Sequence, residues 1–86
     1  MKVRVKFAGD MHKKFGMADL WLFLPDETTV KEFLAKLEKE KGVKIDLEDT
    51  STVVLVNGRR VEFIGGLKAS LKDMDEVVVM PIIAGG

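Results

Sequence analysis

The chain has 86 residues, of which 47% are hydrophobic and 33% are charged. This length allows one domain with one hydrophobic core, and the composition is typical of a folded globular domain rather than a disordered tail. Lysine plus arginine and aspartate plus glutamate number 14 each. No net charge therefore attracts nucleic acid or acidic lipid, and we expect neither as a partner.

Residue types that are absent or rare narrow the chemistry further. No apolar run approaches the length of a membrane span, and the N-terminus alternates instead of forming a signal-peptide core, so we expect a cytoplasmic protein. Cysteine is absent, which excludes disulfides, thiolate metal sites and sulfur chemistry on a side chain. His12 is the single histidine, and no phosphate-binding glycine loop is present, so we expect no metal site and no bound cofactor.

The first part of the chain predicts two strands separated by a loop. Val3, Val5 and Phe7 alternate with basic residues, as expected of a strand with one buried face. A polar loop is predicted over residues 9–16. A second strand is predicted over residues 19–24, where a Pro-Asp turn closes it.

The strongest helix signal lies between Thr29 and Gly42. Thr29 with Glu32 three residues later forms a capping box, and Gly42 after a basic last turn is a typical helix stop. The apolar residues between them recur at helical spacing: Val30, Phe33, Leu34 and Leu37.

The second part of the chain predicts three more strands. A branched run at 52–56 is followed by Asn57-Gly58, the preferred pair for a two-residue hairpin, and we expect a partner strand over 59–64. A brief helical turn is predicted at 67–71, and a final strand from Glu76. Because one helix covers only one face of such a sheet, we predict an α+β domain whose other face meets solvent or a partner.

The second strand carries a candidate docking surface. If Leu20, Leu22 and Leu24 face the core, Trp21 and Phe23 point to the open face. A shifted register is one alternative, and a loop that covers Trp21 is another.

Residues of other strands are expected to complete this docking surface. Val78 and Met80 would join Trp21 in one apolar patch on the open face. Four basic residues would flank it or steer an acidic partner: Arg4, Lys6, Arg59 and Arg60. A purely solvated charged face is the alternative.

The last two residues are the most informative in the sequence. Two consecutive glycines are expected by chance at roughly half a per cent of positions, and Gly85-Gly86 follows a strand-like run directly. We expect Gly86 to carry the free carboxylate at the end of a flexible tail of about residues 82–86. Glycine has no Cβ to hinder attack on its carbonyl and adopts backbone angles that suit a narrow channel. An inert, frayed end is the alternative.

The residues before the two glycines are expected to enter a partner together with them. They are Pro81, Ile82, Ile83 and Ala84.

Residues 73–86 resemble the D-x-D-E-V-x-x-x-P-x-x-x-G-G ending of the small subunit of molybdopterin synthase. That family belongs with the thiazole-synthesis sulfur carriers and the archaeal small modifier proteins, and the resemblance implies one ubiquitin-like β-grasp domain over residues 1–86, with a mixed sheet of about five strands. Family members often carry an Arg-Glu pair where this chain has Met11-His12-Lys13, which leaves the subfamily and the final acceptor open. Further matches occur at Phe7-Ala8, Leu24-Pro25, Thr29-Val30 and Val56-Asn57-Gly58.

The resemblance implies a sulfur carrier that is a protein cosubstrate and not an enzyme by itself. A partner activating enzyme of the E1-like class would use ATP to adenylate Gly86, and a sulfurtransferase would convert it to a thiocarboxylate. The tail would then insert into the large subunit of molybdopterin synthase and deliver sulfur for the molybdenum or tungsten cofactor.

Other functions remain open at this point. A protein modifier would use Gly86 to form isopeptide bonds with lysines of target proteins, after the same activation step. The chain could instead carry sulfur for thiamine or for tRNA thiolation. An interaction module that uses only Trp21 and Phe23 would leave the two glycines unexplained.

Overall fold

A computed structural model describes residues 1–49 and 51–82 of the chain. It contains the predicted α+β arrangement, with one main helix. In chain order the elements are strand β1 (Lys2–Phe7), helix α1 (Met11–Phe15), strand β2 (Asp19–Phe23), helix α2 (Val30–Lys41), strand β3 (Thr52–Val56), strand β4 (Arg59–Arg60), the 3-10 turns Val61–Phe63 and Gly66–Lys68, and strand β5 (Glu76–Pro81).

The five strands form one mixed sheet in the order β2-β1-β5-β3-β4. The first and last strands, β1 and β5, pair in parallel at its centre, and the other neighbours are antiparallel. A parallel pair requires a crossover connection, and α2 lies within it. The last strand is therefore hydrogen-bonded on both sides, and the chain leaves the sheet from its middle.

The hydrophobic core lies between the sheet and α2. Side chains alternate along each strand, so every second residue of β1 and β5 faces the helix; Val5 and Val79 are fully buried there, as is Leu37 of α2. Burial of each such side chain contributes about 1.5–3 kcal/mol. The four apolar residues predicted for the helix face all belong to this core: Val30, Phe33, Leu34 and Leu37.

The predicted capping box at the start of α2 is confirmed. The Thr29 hydroxyl oxygen accepts a hydrogen bond from the Glu32 N–H at 3.2 Å, and Glu32 Oε1 accepts one from the Thr29 N–H at 3.0 Å. The backbone N–H of Thr29, and then its hydroxyl, lower the pKa of the Glu32 carboxyl because both favour its charged form. The helix stop is confirmed as well: Gly42 has φ +68° and donates to the Glu38 carbonyl at 3.0 Å.

The hairpin after β3 is confirmed, but its second strand is shorter than predicted. Asn57 and Gly58 both have positive φ, of 50° and 85°, as the expected two-residue turn requires. A strand over 59–64 is wrong beyond Arg60. Val61 is fully buried, and the chain turns there into a 3-10 turn, closed by a hydrogen bond from the Ile64 N–H to the Val61 carbonyl at 3.1 Å.

Residues 9–16, predicted as a polar loop, contain the short helix α1. Its first residue, Met11, is buried in the core, and Phe15 packs against Phe7 with ring centroids 5.1 Å apart. Packing of these two apolar side chains fixes the segment, because a helix of one turn has little stability of its own. The brief helical turn predicted at 67–71 is a 3-10 turn at Gly66–Lys68.

Substitution of Thr29 by alanine tests the cap. We expect Thr29→Ala to lower the free energy of unfolding by about 1 kcal/mol, because the N-cap side chain satisfies an otherwise unpaired helix donor. Urea unfolding at neutral pH measures this loss. Thr29→Ser keeps the hydroxyl and should stay close to the wild type.

The same pair of variants tests the lowered pKa of Glu32. A carboxyl whose pKa is lower in the folded chain stabilises the fold above its unfolded-state pKa, and this contribution is lost as the pH falls through the folded-state pKa. Thr29→Ala keeps the backbone N–H and removes only the hydroxyl that bonds the Glu32 carboxylate, so we expect part of the stability difference between wild type and Thr29→Ala to be lost on acidification. A difference that is constant down to strongly acidic pH would contradict this assignment.

Candidate functional site

The structure places the base of the predicted tail at the centre of the sheet. Pro81 lies opposite Thr52 of β3 in the antiparallel register. The Ile82 N–H donates to the Ser51 carbonyl at 2.9 Å. Residues 83–86, which include the two predicted terminal glycines and the apolar residues before them, lie outside the described residues, so their roles stay predictions. What is described is the point from which the tail starts.

The Ser51 segment beside the tail base is itself fixed by Asp49. One carboxylate oxygen of Asp49 accepts hydrogen bonds from the Ser51 hydroxyl at 2.7 Å and from the Ser51 N–H at 2.9 Å. The hydroxyl bond, then the backbone bond, lower the pKa of Asp49, and the positive charge of Lys14 on α1 lowers it further. Asp49 therefore holds the residue whose carbonyl receives the Ile82 N–H.

An apolar strip lies on the open face next to the tail base. It consists of Val53, Leu55, Val78 and Met80. Val53 lies opposite Met80, and Leu55 lies opposite Val78, across β3 and β5. These residues alternate with core residues and so face away from α2. The Val53 side chain is only 8% exposed, but it is not part of the core cluster. The other three side chains are half-buried.

The sequence predicted two members of this strip and missed the other two. Val78 and Met80 followed from alternation in β5. Val53 and Leu55 were detectable, because residues 52–56 form an unbroken run of branched or apolar residues, the pattern of a strand with apolar side chains on both faces.

The predicted orientation of β2 is confirmed. Trp21 and Phe23 are 43% and 71% exposed, whereas Leu22 between them is buried. The register of β2 against β1 is therefore not shifted relative to the prediction. Two cations of β1 approach the Trp21 ring: Lys2 Nζ lies 5.1 Å and Arg4 Cζ 5.8 Å from its centroid, within the range of cation–π attraction.

The structure does not bring Trp21 and Phe23 together with the apolar strip. Strand β1 lies between β2 and β5, so Arg4 separates Trp21 from Glu76 and Lys6 stands opposite Val78. The single patch that joined β2 to Val78 and Met80 is therefore wrong. The open face instead carries two apolar areas on either side of a basic stripe formed by Lys2, Arg4 and Lys6.

Carboxylates neutralise much of this basic stripe. Arg4 forms an ion pair with Asp19 at 3.1 Å, and Lys6 forms one with Glu76 at 3.3 Å. Because these groups are substantially exposed, each pair contributes at most about 1 kcal/mol. The two pairs therefore add little to the free energy of unfolding. Their main effect is to cancel positive charge that would otherwise attract a polyanion.

The two arginines of β4 differ in their surroundings. Arg60 Nη2 lies 2.9 Å from a Glu62 carboxylate oxygen, and the guanidinium lies 5.8 Å from the Phe63 ring centroid. Arg59 makes no ion pair within the described residues and lines a polar cleft that also contains Lys72. Asp75 lines the same cleft, so the role of Arg59 and Arg60 toward an acidic partner stays a prediction.

The described residues, 1–49 and 51–82, hold no group of three histidine, cysteine or acidic side chains placed to bind a metal ion. His12 Nδ1 instead hydrogen-bonds the Gly9 carbonyl oxygen at 2.8 Å. Over the same residues, no helix has the length and apolar character needed to cross a bilayer.

Comparison with known proteins identifies clear relatives. The family model described as the ThiS family matches residues 5–86. Small archaeal modifier protein 3 of Haloferax volcanii is 32% identical over 92 residues, with 100% of both chains covered.

Solved structures share the fold. Small archaeal modifier protein 1 of Methanosarcina acetivorans is 26% identical with a TM-score of 0.75, over 99% of this chain and 96% of that one. A chain in the complex of subunits 1 and 2 of the molybdopterin-converting factor from Helicobacter pylori is 26% identical with a TM-score of 0.67, over 100% of both. The ubiquitin-like β-grasp fold implied by the resemblance is confirmed.

Adjacent residues of β2 provide a test of which face is open. Trp21→Ala removes a side chain that is 43% exposed, so we expect a loss of less than about 1.5 kcal/mol in the free energy of unfolding. Leu22→Ala removes a core side chain and should cost about 2–5 kcal/mol. Urea unfolding of the two variants measures both values, and equal losses would contradict the assignment of Trp21 to the open face.

Proposed function

We propose that this chain, which belongs to the ThiS family, is a carrier whose Gly86 becomes a thiocarboxylate that donates sulfur in molybdopterin biosynthesis. The observation that carries the proposal is the diglycine, which follows by only a few residues a tail base held in the middle of the sheet. Such a base gives the glycines a fixed starting point, and their lack of side chains lets them enter a narrow channel.

Activation of the carboxylate is the first step of the proposed chemistry. A carboxylate is a poor electrophile because its charge repels nucleophiles and oxide is a poor leaving group. In the partner's active site, a Gly86 carboxylate oxygen attacks the α-phosphorus of ATP and displaces pyrophosphate. The product is an acyl adenylate with AMP as a good leaving group.

Sulfur transfer is the second step. Hydrosulfide adds to the Gly86 carbonyl carbon; the C–S bond forms, the C–O bond to AMP breaks, and one proton is released. No electrons are gained or lost. The chain has no cysteine and its other sulfur atoms are methionine thioethers, so the thiocarboxylate would be its only strongly nucleophilic sulfur.

The apolar strip fits the docking surface for the partners. Its Val53–Met80 pair directly precedes the Thr52–Pro81 pair at the tail base. A partner that covers the strip is therefore placed beside the start of the tail. The few residues that remain would then lie close to the partner's active site. The complex of subunits 1 and 2 of the Helicobacter pylori molybdopterin-converting factor, which contains a chain similar to this one, supports a second subunit as partner.

A second candidate function is protein modification. It is favoured by full-length similarity to a small archaeal modifier protein at 32% identity. In that case the acyl adenylate would yield an isopeptide bond between Gly86 and a lysine of a target protein. Both functions share the activation step and differ only in the acceptor.

Deletion of Gly86 tests the site of activation. We incubate the full chain with an E1-like activating enzyme of the same cell, ATP and sulfide, and measure its intact mass. The expected product is heavier by the difference between one sulfur and one oxygen atom, and the chain without Gly86 should show no change while keeping its thermal midpoint. An equal mass change in both chains, or none in the full chain, would contradict the proposal.

The same comparison in cells separates the two candidate functions. Recovery of the segment 73–86, which trypsin leaves by cleaving after Lys72, on lysines of other proteins would favour the modifier. Copurification with a larger subunit that makes molybdopterin from its precursor would favour the sulfur carrier.

Polar substitution of the strip tests the docking surface. The double variant Leu55→Gln/Met80→Gln removes apolar surface on the open face, and we expect it to weaken binding to the activating enzyme at least about tenfold, since central apolar residues carry most of the energy of an interface. Titration calorimetry measures the affinity. Lys39→Gln, on the exposed side of α2, introduces the same residue on the opposite face and should leave the affinity unchanged. Equal binding by both variants would exclude the strip.

A further inference from the structure

A close contact between Gly9 and Pro81 lies at the base of the tail. Gly9 follows β1 with φ +62°, a left-handed conformation that other residues rarely adopt. A Cβ atom built on Gly9 would lie 3.0 Å from Pro81 Cγ and 3.1 Å from Pro81 Cδ. These distances are shorter than ordinary carbon–carbon contact, so any side chain at position 9 would push against the proline ring.

The contact stands where the β1–β5 ladder ends. In the parallel register the Ala8 N–H donates to the Val79 carbonyl at 2.9 Å, and the next bond would run from the N–H of residue 81 to the Ala8 carbonyl. Residue 81 is proline, which has no N–H. On the β1 side, contact between the Pro81 ring and Gly9 thus takes the place of a hydrogen bond.

The opposite side of the tail base is held by the backbone of β3 and the segment before it. Pro81 pairs with Thr52, and the Ile82 N–H bonds the Ser51 carbonyl at 2.9 Å. A proline ring includes its own backbone nitrogen, so a push on Cδ moves the main chain at that residue. Displacement of the ring by a Cβ at Gly9 would therefore be passed to Ile82.

We infer that Gly9 is a positioning residue for the C-terminal tail: its missing side chain seats the Pro81 ring and thereby sets the direction in which the tail leaves the sheet. The inference rests on the proposed function, in which Gly86 must reach a partner's active site. Gly9 does not touch the reacting atoms. It acts through Pro81, and docking through the apolar strip does not depend on it.

The experiment compares alanine at Gly9 with alanine at two other left-handed glycines. Gly16 and Gly42 have φ +74° and +68°, and neither has an atom within 4 Å of a built Cβ. All three substitutions incur the same kind of backbone strain, so we expect Gly16→Ala and Gly42→Ala to lower the thermal midpoint by roughly 5 °C and Gly9→Ala, which also meets the Pro81 ring, to lower it further. Only Gly9→Ala should also move the tail base.

The readout is the rate at which the activating enzyme releases pyrophosphate from ATP with each variant as substrate. We expect Gly9→Ala to lower kcat about tenfold with little change in KM, because small misplacements of a reacting group are costly while docking is intact. The Gly16→Ala and Gly42→Ala variants should keep the wild-type kcat. Amide NMR should show shifted signals at Met80 and Ile82, the residues on either side of Pro81, for Gly9→Ala alone.

Removal of the proline ring provides the rescue. Pro81→Ala leaves no Cγ or Cδ for the new Cβ to meet, so Gly9→Ala should reduce kcat much less in a Pro81→Ala background than in the wild type. An undiminished effect in that background, or an equal kcat for all three glycine variants, would overturn the inference. Failure of the wild type itself to be activated would instead overturn the proposed function, on which this inference rests.

Discussion

The parallel pairing of β1 with β5 determines most of this structure. It joins the first and last strands at the centre of the sheet, so the rest of the chain must cross over and return. That crossover contains α2, which covers one face and leaves the other open. Because β5 has a neighbour on each side, the same pairing also fixes the place from which the tail begins. The positions of the core, of the open face and of the tail base thus all follow from the parallel pairing of β1 with β5.

The open face is divided by β1, which carries the basic stripe. On one side of the basic stripe, β3 and β5 carry the apolar strip; on the other, Trp21 and Phe23 stand on an edge strand. Cross-strand neighbours form the strip, so it is continuous with the pairing that anchors the tail. The aromatic pair lacks this continuity, and nearby cations cover part of the Trp21 ring. Proximity to the tail, rather than exposure alone, therefore favours the strip as the docking surface.

Local signals made much of the fold predictable, and long-range contacts explain the errors. The Thr29–Glu32 capping box and the Asn57-Gly58 turn depend on hydrogen bonds and backbone angles of a few neighbouring residues, so the sequence predicts them well. Met11 starts an unpredicted helix because the core holds it, and Val61 ends β4 because it turns inward. No local pattern contains that information.

In the candidate site too, local patterns were predictable and long-range contacts were not. Alternation in β5 identified Val78 and Met80, but the order of strands, which separates them from Trp21, is a property of the whole sheet. In the sequence, Gly9 could not be distinguished from an ordinary loop glycine. A side chain is excluded there by the Pro81 ring, which is distant in sequence and comes close to Gly9 only in the folded chain.

A central last strand also affects how the protein is made. During synthesis, domains generally fold as units. Here the middle of the sheet is missing until β5 has left the ribosome, so β1 and β3 have no partner to join them. Chains that terminate early therefore cannot complete the core, and they remain substrates for proteases. Folding therefore requires a chain that extends at least to the start of the tail.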